Sequence, residues 1–160
     1  MLAEHTFITT REQSDAIQTA QAYLHALGYR RAVVERGPDA AVAVTMTRGR
    51  PKPNTSNMAE LPQRVTIHFD RGRVMVAAAI HERGKVMPLH RELVLAVASS
   101  IEQVLAHDVP FDEARAPFDR VIARMAHRYQ KRRYGCVAAF CIVIVIALVI
   151  AVIITVSLSP

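Results

Sequence analysis

The stretch RVTIHFDRGRVMVAAAIH, residues 64–81, decides the fold because it predicts a β-hairpin with a single workable register. Two alternating apolar runs flank Asp70-Arg71-Gly72, a combination typical of a tight hairpin turn. A two-residue turn at Arg71-Gly72 aligns three apolar cross-strand pairs: Phe69 with Val74, Ile67 with Val76 and Val65 with Ala78. These six side chains share one face, and a slip of one residue would turn them all toward water. The hairpin therefore predicts a sheet that is buried on one side.

The opposite face of the hairpin is predicted to be small and mildly apolar rather than charged. It carries Thr66, His68, Met75, Ala77, Ala79 and His81. A flat face of small side chains suits packing against another protein, and it is also compatible with exposure to solvent. We take as a candidate contact surface the residues Ala41, Ala43, Thr45, Thr66, Ala77 and Ala79.

Strand and helix patterns before the hairpin complete one side of the domain. Residues 5–9 form a strand candidate, and residues 31–36 and 41–47 predict two more strands. Thr10 and Gln13 have the spacing of a capping box, which predicts a helix over about residues 11–27 that ends at Gly28. The segment 48–62 is rich in proline, asparagine and serine, and it predicts a long loop.

Two helical patterns follow the hairpin. Pro88 predicts the first residue of a helix whose apolar stripe reaches Val104. A further helical segment is predicted from Phe111 to about Arg133, and Pro117 marks either a kink in it or its true start.

The order β-α-β-β-β-β-α predicts an α+β fold, with an antiparallel sheet of four to five strands and two helices on one face. This order resembles the helix-grip and TATA-binding-protein-like architectures over about residues 5–106. The resemblance is one of topology and carries no functional motif. A helix-grip likeness implies that an apolar ligand could lie between the sheet and a helix, which we keep as an alternative function.

The run VAAFCIVIVIALVIAVIITV, residues 137–156, contains no charged side chain. Twenty apolar residues in a helix, at about 1.5 Å each, span about 30 Å of bilayer hydrocarbon. The run therefore predicts a transmembrane helix over residues 136–158, preceded by a juxtamembrane helix over 109–135 and a domain over 1–108. Small residues repeat at a spacing of four within the run, at Ala147, Ala151 and Thr155. This spacing predicts a helix–helix contact and a homo-oligomer as one class of partner.

Basic side chains before the run predict its orientation. They are Arg124, Arg128, Lys131, Arg132 and Arg133, and no charge follows the run. The positive-inside rule then places the domain in the cytoplasm and the end of the sequence outside. Residues 1–5 lack a basic segment followed by an apolar core, so we expect no cleavable signal peptide. The topology resembles that of tail-anchored single-pass proteins.

The net charge of +6 is concentrated beside the apolar run. Residues 111–133 hold seven basic and three acidic side chains, so anionic lipid headgroups are the expected partner and nucleic acid is not. Seventeen arginines against three lysines indicate a high-GC, bacterial genome, which predicts the inner membrane as the location. Both cysteines, Cys136 and Cys141, lie at the start of the run, as expected for a domain without disulfides in a reducing cytoplasm.

The segment Arg48-Gly49-Arg50-Pro51-Lys52 resembles an AT-hook, whose core binds the minor groove of A·T-rich DNA. The resemblance implies that the two arginines enter the groove, that the glycine permits close approach and that the lysine meets phosphate. Solvated loop charge is the alternative interpretation, and we expect it to apply.

No catalytic pattern is present in the sequence. The seven histidines lack the HxxxH or HxH spacing of a metal site, and no serine or glycine-rich motif of a known catalytic class occurs. We therefore expect no metal, no cofactor and no enzymatic activity. The leading hypothesis is a single-pass membrane protein that displays a small cytoplasmic domain as an accessory, adaptor or scaffold subunit and binds other proteins.

Overall fold

The structure is a computed structural model that describes residues 2–37, 41–49, 62–80, 88–128 and 144. Within these residues the chain forms an α+β fold, which confirms the predicted class. The elements are β1 (Leu2–Ile8), α1 (Gln13–Ala26), β2 (Arg30–Arg36), β3 (Val42–Arg48), β4 (Gln63–Asp70), β5 (Arg73–Ile80), α2 (Pro88–Ala106), α3 (Phe111–Ala114) and α4 (residues 116–128). The five strands form one antiparallel sheet in the order β1-β5-β4-β3-β2.

The central hairpin has the register that the sequence predicts. Its strands pair Val65 with Ala78, Ile67 with Val76 and Phe69 with Val74. Arg71 and Gly72 both have positive φ, at 47° and 81°, which is the signature of a type I′ turn. The twist of this turn matches that of the strands, so it holds the register in place.

One face of the sheet is buried beneath α1 and α2. Side chains alternate along the central strands, so that every second residue of β4 and β5 is buried. The largest fully buried side chains are Tyr23, Leu24, Tyr29, Met46, Ile67, Leu89, Leu93, Ile101, Leu105 and Met125. The strand β2 lies at an open edge of the sheet, and all seven of its residues are exposed.

The first helix ends as expected but begins differently. Its C-terminus is a Schellman motif: the Gly28 N–H donates to the His25 carbonyl, the Tyr29 N–H donates to the Leu24 carbonyl, and Gly28 has a φ of 87°. The predicted capping box at Thr10 is wrong, because α1 starts at Gln13 after an N-cap at Glu12 that makes no side-chain capping bond. The Thr9 hydroxyl instead donates to the Leu105 carbonyl at 2.6 Å and draws the chain toward α2.

The helices α3 and α4 belong to the same hydrophobic core as the sheet. Phe118, Val121 and Met125 are buried in α4, at the spacing of one helix face. Phe111 packs edge-on against the ring of Tyr23 in α1, with centroids 5.2 Å apart. Pro117 lies in the first turn of α4, so of the two alternatives it marks the start of a helix. The core of the described chain extends beyond the predicted domain end at Asp108, as far as Met125.

The predicted transmembrane helix falls outside the described residues, apart from Ile144, which is helical. The same holds for Lys131, Arg132 and Arg133 and for the stripe formed by Ala147, Ala151 and Thr155. Among the helices that the structure describes, none combines the length and the hydropathy needed to cross a membrane.

Candidate interaction surfaces

The face of the sheet opposite the helices is a flat surface built from aligned cross-strand neighbours. Strand pairing places two complete rows on it: Thr6-Met75-His68-Ala43-Glu35 and Glu4-Ala77-Thr66-Thr45-Val33. We call these two rows the outer face, together with the residues on the same side nearest the ends of β4 and β5, which are Arg64, Asp70, Arg73 and Ala79. Five of the six predicted contact residues lie on it, and Ala41 directly precedes β3.

The middle of the outer face carries no long charged side chain. Ala43, Thr45, Thr66, Met75 and Ala77 are partly exposed there, and the Thr45 and Thr66 hydroxyls share a hydrogen bond of 3.0 Å. Charged residues lie only around the margin of the face. A sheet surface that meets only water commonly carries polar or charged side chains, and a depletion of charge at the centre of a patch is typical of a protein interface.

The second surface is a stripe of arginines on α4. Arg120, Arg124 and Arg128 repeat every four residues on the side of the helix that is turned away from the core, and all three are exposed. We call this set the basic stripe. Arg124 also donates to Glu92 of α2 at 2.7 Å, which joins the two helices at the surface. Arg124 and Arg128 were among the predicted membrane-surface residues, and Arg120 was not, although the four-residue spacing could have revealed it.

The first residue of the AT-hook-like segment lies against the core of the domain. The guanidinium of Arg48 lies over the ring of Phe118, with its carbon 4.9 Å from the ring centroid. Burial lowers the pKa of this guanidinium, and the neighbouring Tyr29 and Asp119 raise it. Arg48 would have to leave this position to enter a DNA groove. Gly49 has a φ of 95°, while Arg50, Pro51 and Lys52 lie outside the described residues.

A buried polar pair lies beside Arg48 at the same end of the sheet. Arg48 and Gln63 are cross-strand partners, and the Tyr29 hydroxyl donates to the Gln63 side-chain oxygen at 2.8 Å. Burial raises the pKa of the Tyr29 phenol, although the nearby positive charge of Arg48 opposes this shift. The phenol is therefore held in its neutral form, which donates the hydrogen bond to Gln63. The contact of Tyr29, Gln63 and Arg48 thus stabilises this end of the sheet.

The described residues contain no group of three histidine, cysteine, aspartate or glutamate side chains that could hold a metal ion. Two of the described histidines lie in other settings, one bonded to a carboxylate and one on the outer face. The His5 ring bonds to the Glu102 carboxylate at 2.8 Å and thereby ties β1 to α2, and His68 is exposed on the outer face. His81, which was predicted on the same face, lies outside the described residues.

The outer face and the basic stripe are thus two surfaces of the described chain that suit contact with something outside it. They lie on different layers, because one belongs to the sheet and the other to a helix packed on its opposite side. Comparisons of the chain with protein-family models, with curated proteins and with solved structures find no match.

Proposed function

We propose that this chain is a single-pass membrane protein that displays a non-enzymatic α+β domain on the cytoplasmic side of a bacterial inner membrane. In this proposal the domain is an accessory, adaptor or scaffold subunit of a membrane complex. The observation that carries the proposal is the position of the basic stripe. Its last residue, Arg128, is followed within five residues by Lys131-Arg132-Arg133 and then by the apolar run of residues 137–156.

The short connection between α4 and the apolar run supports a domain held close to the bilayer. Met125 is anchored in the core, and the run begins twelve residues later. A fully extended chain covers at most about 3.5 Å per residue, so the connection spans no more than about 40 Å. The core of the domain therefore lies within about 40 Å of the start of the proposed membrane span.

Electrostatics favour the basic stripe as the part that faces the lipid. Basic residues near an anionic leaflet contribute about 1 kcal/mol each, and this attraction fades within a Debye length of about 10 Å. Glu92 neutralises part of the stripe through its contact with Arg124, so Arg120 and Arg128 are the residues that we expect to contribute most.

The adaptor role rests on the outer face. It lies on the side of the sheet away from α4, so a partner protein and the membrane can be engaged at the same time. Its uncharged centre and flat relief suit a protein partner rather than a small molecule, because small-molecule sites are concave. The space on the other face of the sheet is occupied by large buried side chains such as Tyr23, Met46 and Leu93.

Protease accessibility tests the proposal on the full-length protein. In spheroplasts the domain should resist an added protease, and in inverted inner-membrane vesicles the same protease should release it. Opening the spheroplasts with detergent provides the control that the protease is active. Digestion of the domain in intact spheroplasts would show that it faces outward and would reject the proposal.

A further inference from the structure

We propose that the outer face is covered by the outer face of a second copy of this chain, in a symmetric dimer. This inference rests on the proposed function, in which the outer face is the protein-contact surface, and it names the partner. Two properties of the surface point to self-association: opposite charges at the two ends of its central strand, and an area that meets the needs of a specific contact.

The charges of β4 are arranged symmetrically about its middle residue. Arg64 and Asp70 are both exposed on the outer face, and each lies three residues from Ile67. A two-fold axis that passes over Ile67, in the plane between two facing sheets, reverses the strand direction. It therefore places Arg64 of each copy over Asp70 of the other. The two charge pairs lie six residues apart along the strand, which is about 20 Å at 3.3 Å per residue. Two ion pairs then form at opposite ends of the contact.

Neither of these side chains has an ion-pair partner among the described residues. Arg73 is the cross-strand neighbour of Asp70, yet the two form no ion pair. The same two-fold axis places Arg73 over Ala79 of the second copy, where a small side chain leaves room for it. Within the described part of the chain, no ion pair therefore neutralises the charges at the ends of the face.

The interior of the face is also self-complementary. The two-fold axis exchanges the two rows, so that Ala77 faces Met75 of the second copy and Thr66 faces His68. Each small side chain then meets a larger one, which is how the facing sheets of a β-sandwich interdigitate at a separation of about 10 Å. Glu4 and Glu35 lie on the outer strands, where both stay at the margin in contact with water.

The size of the face is sufficient for a specific but weak contact. Five strands spaced about 4.8 Å apart, with about seven residues each, present at most roughly 500 Å² per copy. Two copies then bury at most about 1,000 Å², which is the lower limit for a biological interface. A membrane anchor strengthens such a contact, because it confines both copies to one surface and raises their effective concentration.

Charge-reversal variants of the full-length protein test the dimer. The mass of the protein component in mild detergent is measured by analytical sedimentation. Arg64→Asp and Asp70→Arg should each weaken self-association about tenfold or more, because like charges then face each other at both ends. The double variant R64D/D70R restores both ion pairs and should return the dissociation constant to within about threefold of the wild type. Single variants without effect, or a double variant no tighter than the singles, would overturn the proposal.

A second set of variants separates the outer face from other contacts. Ala77→Arg places a charge at the centre of the face and should give a monomer, whereas Ala123→Arg, at an exposed position of α4, should leave the dimer intact. The pair A147L/A151L blocks the predicted helix contact and should also leave it intact. A dimer that survives Ala77→Arg, or that is lost in A147L/A151L alone, contradicts the inference. All variants should still sediment with membranes, so failure of the dimer and failure of the membrane anchor are distinguishable.

Discussion

The guanidinium carbon of Arg48 lies 4.9 Å from the centroid of the Phe118 ring, which joins the last residue of β3 to the first turn of α4. This contact joins two parts of the chain for which the sequence predicts separate roles, a charged loop and a juxtamembrane helix. The added Cβ of a residue at Gly28 would lie 3.6 Å from the Arg48 Nε, so the end of α1 closes over the same side chain. Arg48 is therefore a packing residue as well as a charge.

Replacing Arg48 separates its packing from its charge. Arg48→Ala removes the stem and the cation over Phe118 and should lower the free energy of unfolding by about 1 kcal/mol. Arg48→Met keeps an apolar stem over the ring without a partly buried charge and should stay within about 0.5 kcal/mol of the wild type. Denaturant titration followed by circular dichroism measures both. An alanine variant as stable as the wild type would show that the contact contributes nothing.

Substitutions at two neighbouring positions of the hairpin turn should change the stability of the fold in opposite directions. Gly72 has a φ of 81°, and an added Cβ would lie 3.3 Å from the Thr9 carbonyl, so Gly72→Ala should cost about 1–2 kcal/mol of stability. Arg71 has a φ of 47°, where asparagine is better tolerated, so Arg71→Asn should stabilise the fold by about 0.5 kcal/mol. Thermal unfolding of both variants measures the two shifts.

Gly37→Ala is the matched control for the turn. Its added Cβ would meet Ala41 at the ordinary distances of 3.6 and 3.7 Å, and Gly37 is not among the residues with positive φ. We expect a change of less than about 0.5 kcal/mol. An equal loss at Gly37 and Gly72 would mean that backbone conformation does not explain the effect.

The buried phenol of Tyr29 predicts a loss of stability at high pH. Burial raises its pKa above the ordinary value of 10.0, so above that pH the folded protein binds more protons than the unfolded chain. Stability should therefore be constant with respect to this group below about pH 9 and should fall as the pH rises beyond about 10. Tyr29→Phe should reduce this alkaline loss, while at neutral pH it costs about 1 kcal/mol through the lost bond to Gln63. Denaturation midpoints from pH 7 to 11 decide this, and parallel curves for the two proteins would contradict it.

The position of α4 in the core predicts where the chain can be shortened. A fragment of residues 1–115 lacks Phe118, Val121 and Met125, and deleting buried side chains of the size of Met or Phe costs about 2–5 kcal/mol each. We expect this fragment to lose cooperative unfolding, and a fragment of residues 1–134 to keep it. Proton NMR spectra of the two fragments provide the measurement. A well-dispersed spectrum from residues 1–115 would show that α4 is dispensable for the fold.

The parts of the fold that depend on local pattern could be predicted from the sequence. The alternation around Arg71-Gly72 admits one register, and Gly28 follows the apolar spacing of α1, so both features were correctly expected. The start of α1 could not be predicted, because the Thr9 hydroxyl bonds to Leu105, 96 residues away. No local signal reports a contact at that separation.

The candidate surfaces also divide into features that local pattern predicts and features that depend on distant contacts. The outer face follows from strand alternation, and seven of its residues were expected on that ground: Ala43, Thr45, Thr66, His68, Met75, Ala77 and Ala79. The packing role of Arg48 was not expected, because a charged residue beside a Pro-rich segment resembles part of a solvated loop. Only the folded structure places the Phe118 ring under its guanidinium. The packing of α4 was missed because its basic residues were interpreted as a collar at the membrane. Its buried side at Phe118, Val121 and Met125 is equally periodic.

The most direct test of the membrane anchor is alkaline carbonate extraction of membranes that carry the full-length protein. The control is a variant with two arginines in the apolar run, I146R/L148R, since an arginine at the centre of a membrane helix costs about 3 kcal/mol. We predict that the wild type stays in the membrane pellet and that the variant is released to the supernatant. Release of the wild type by carbonate would contradict the central claim that this domain is held at a membrane by residues 137–156.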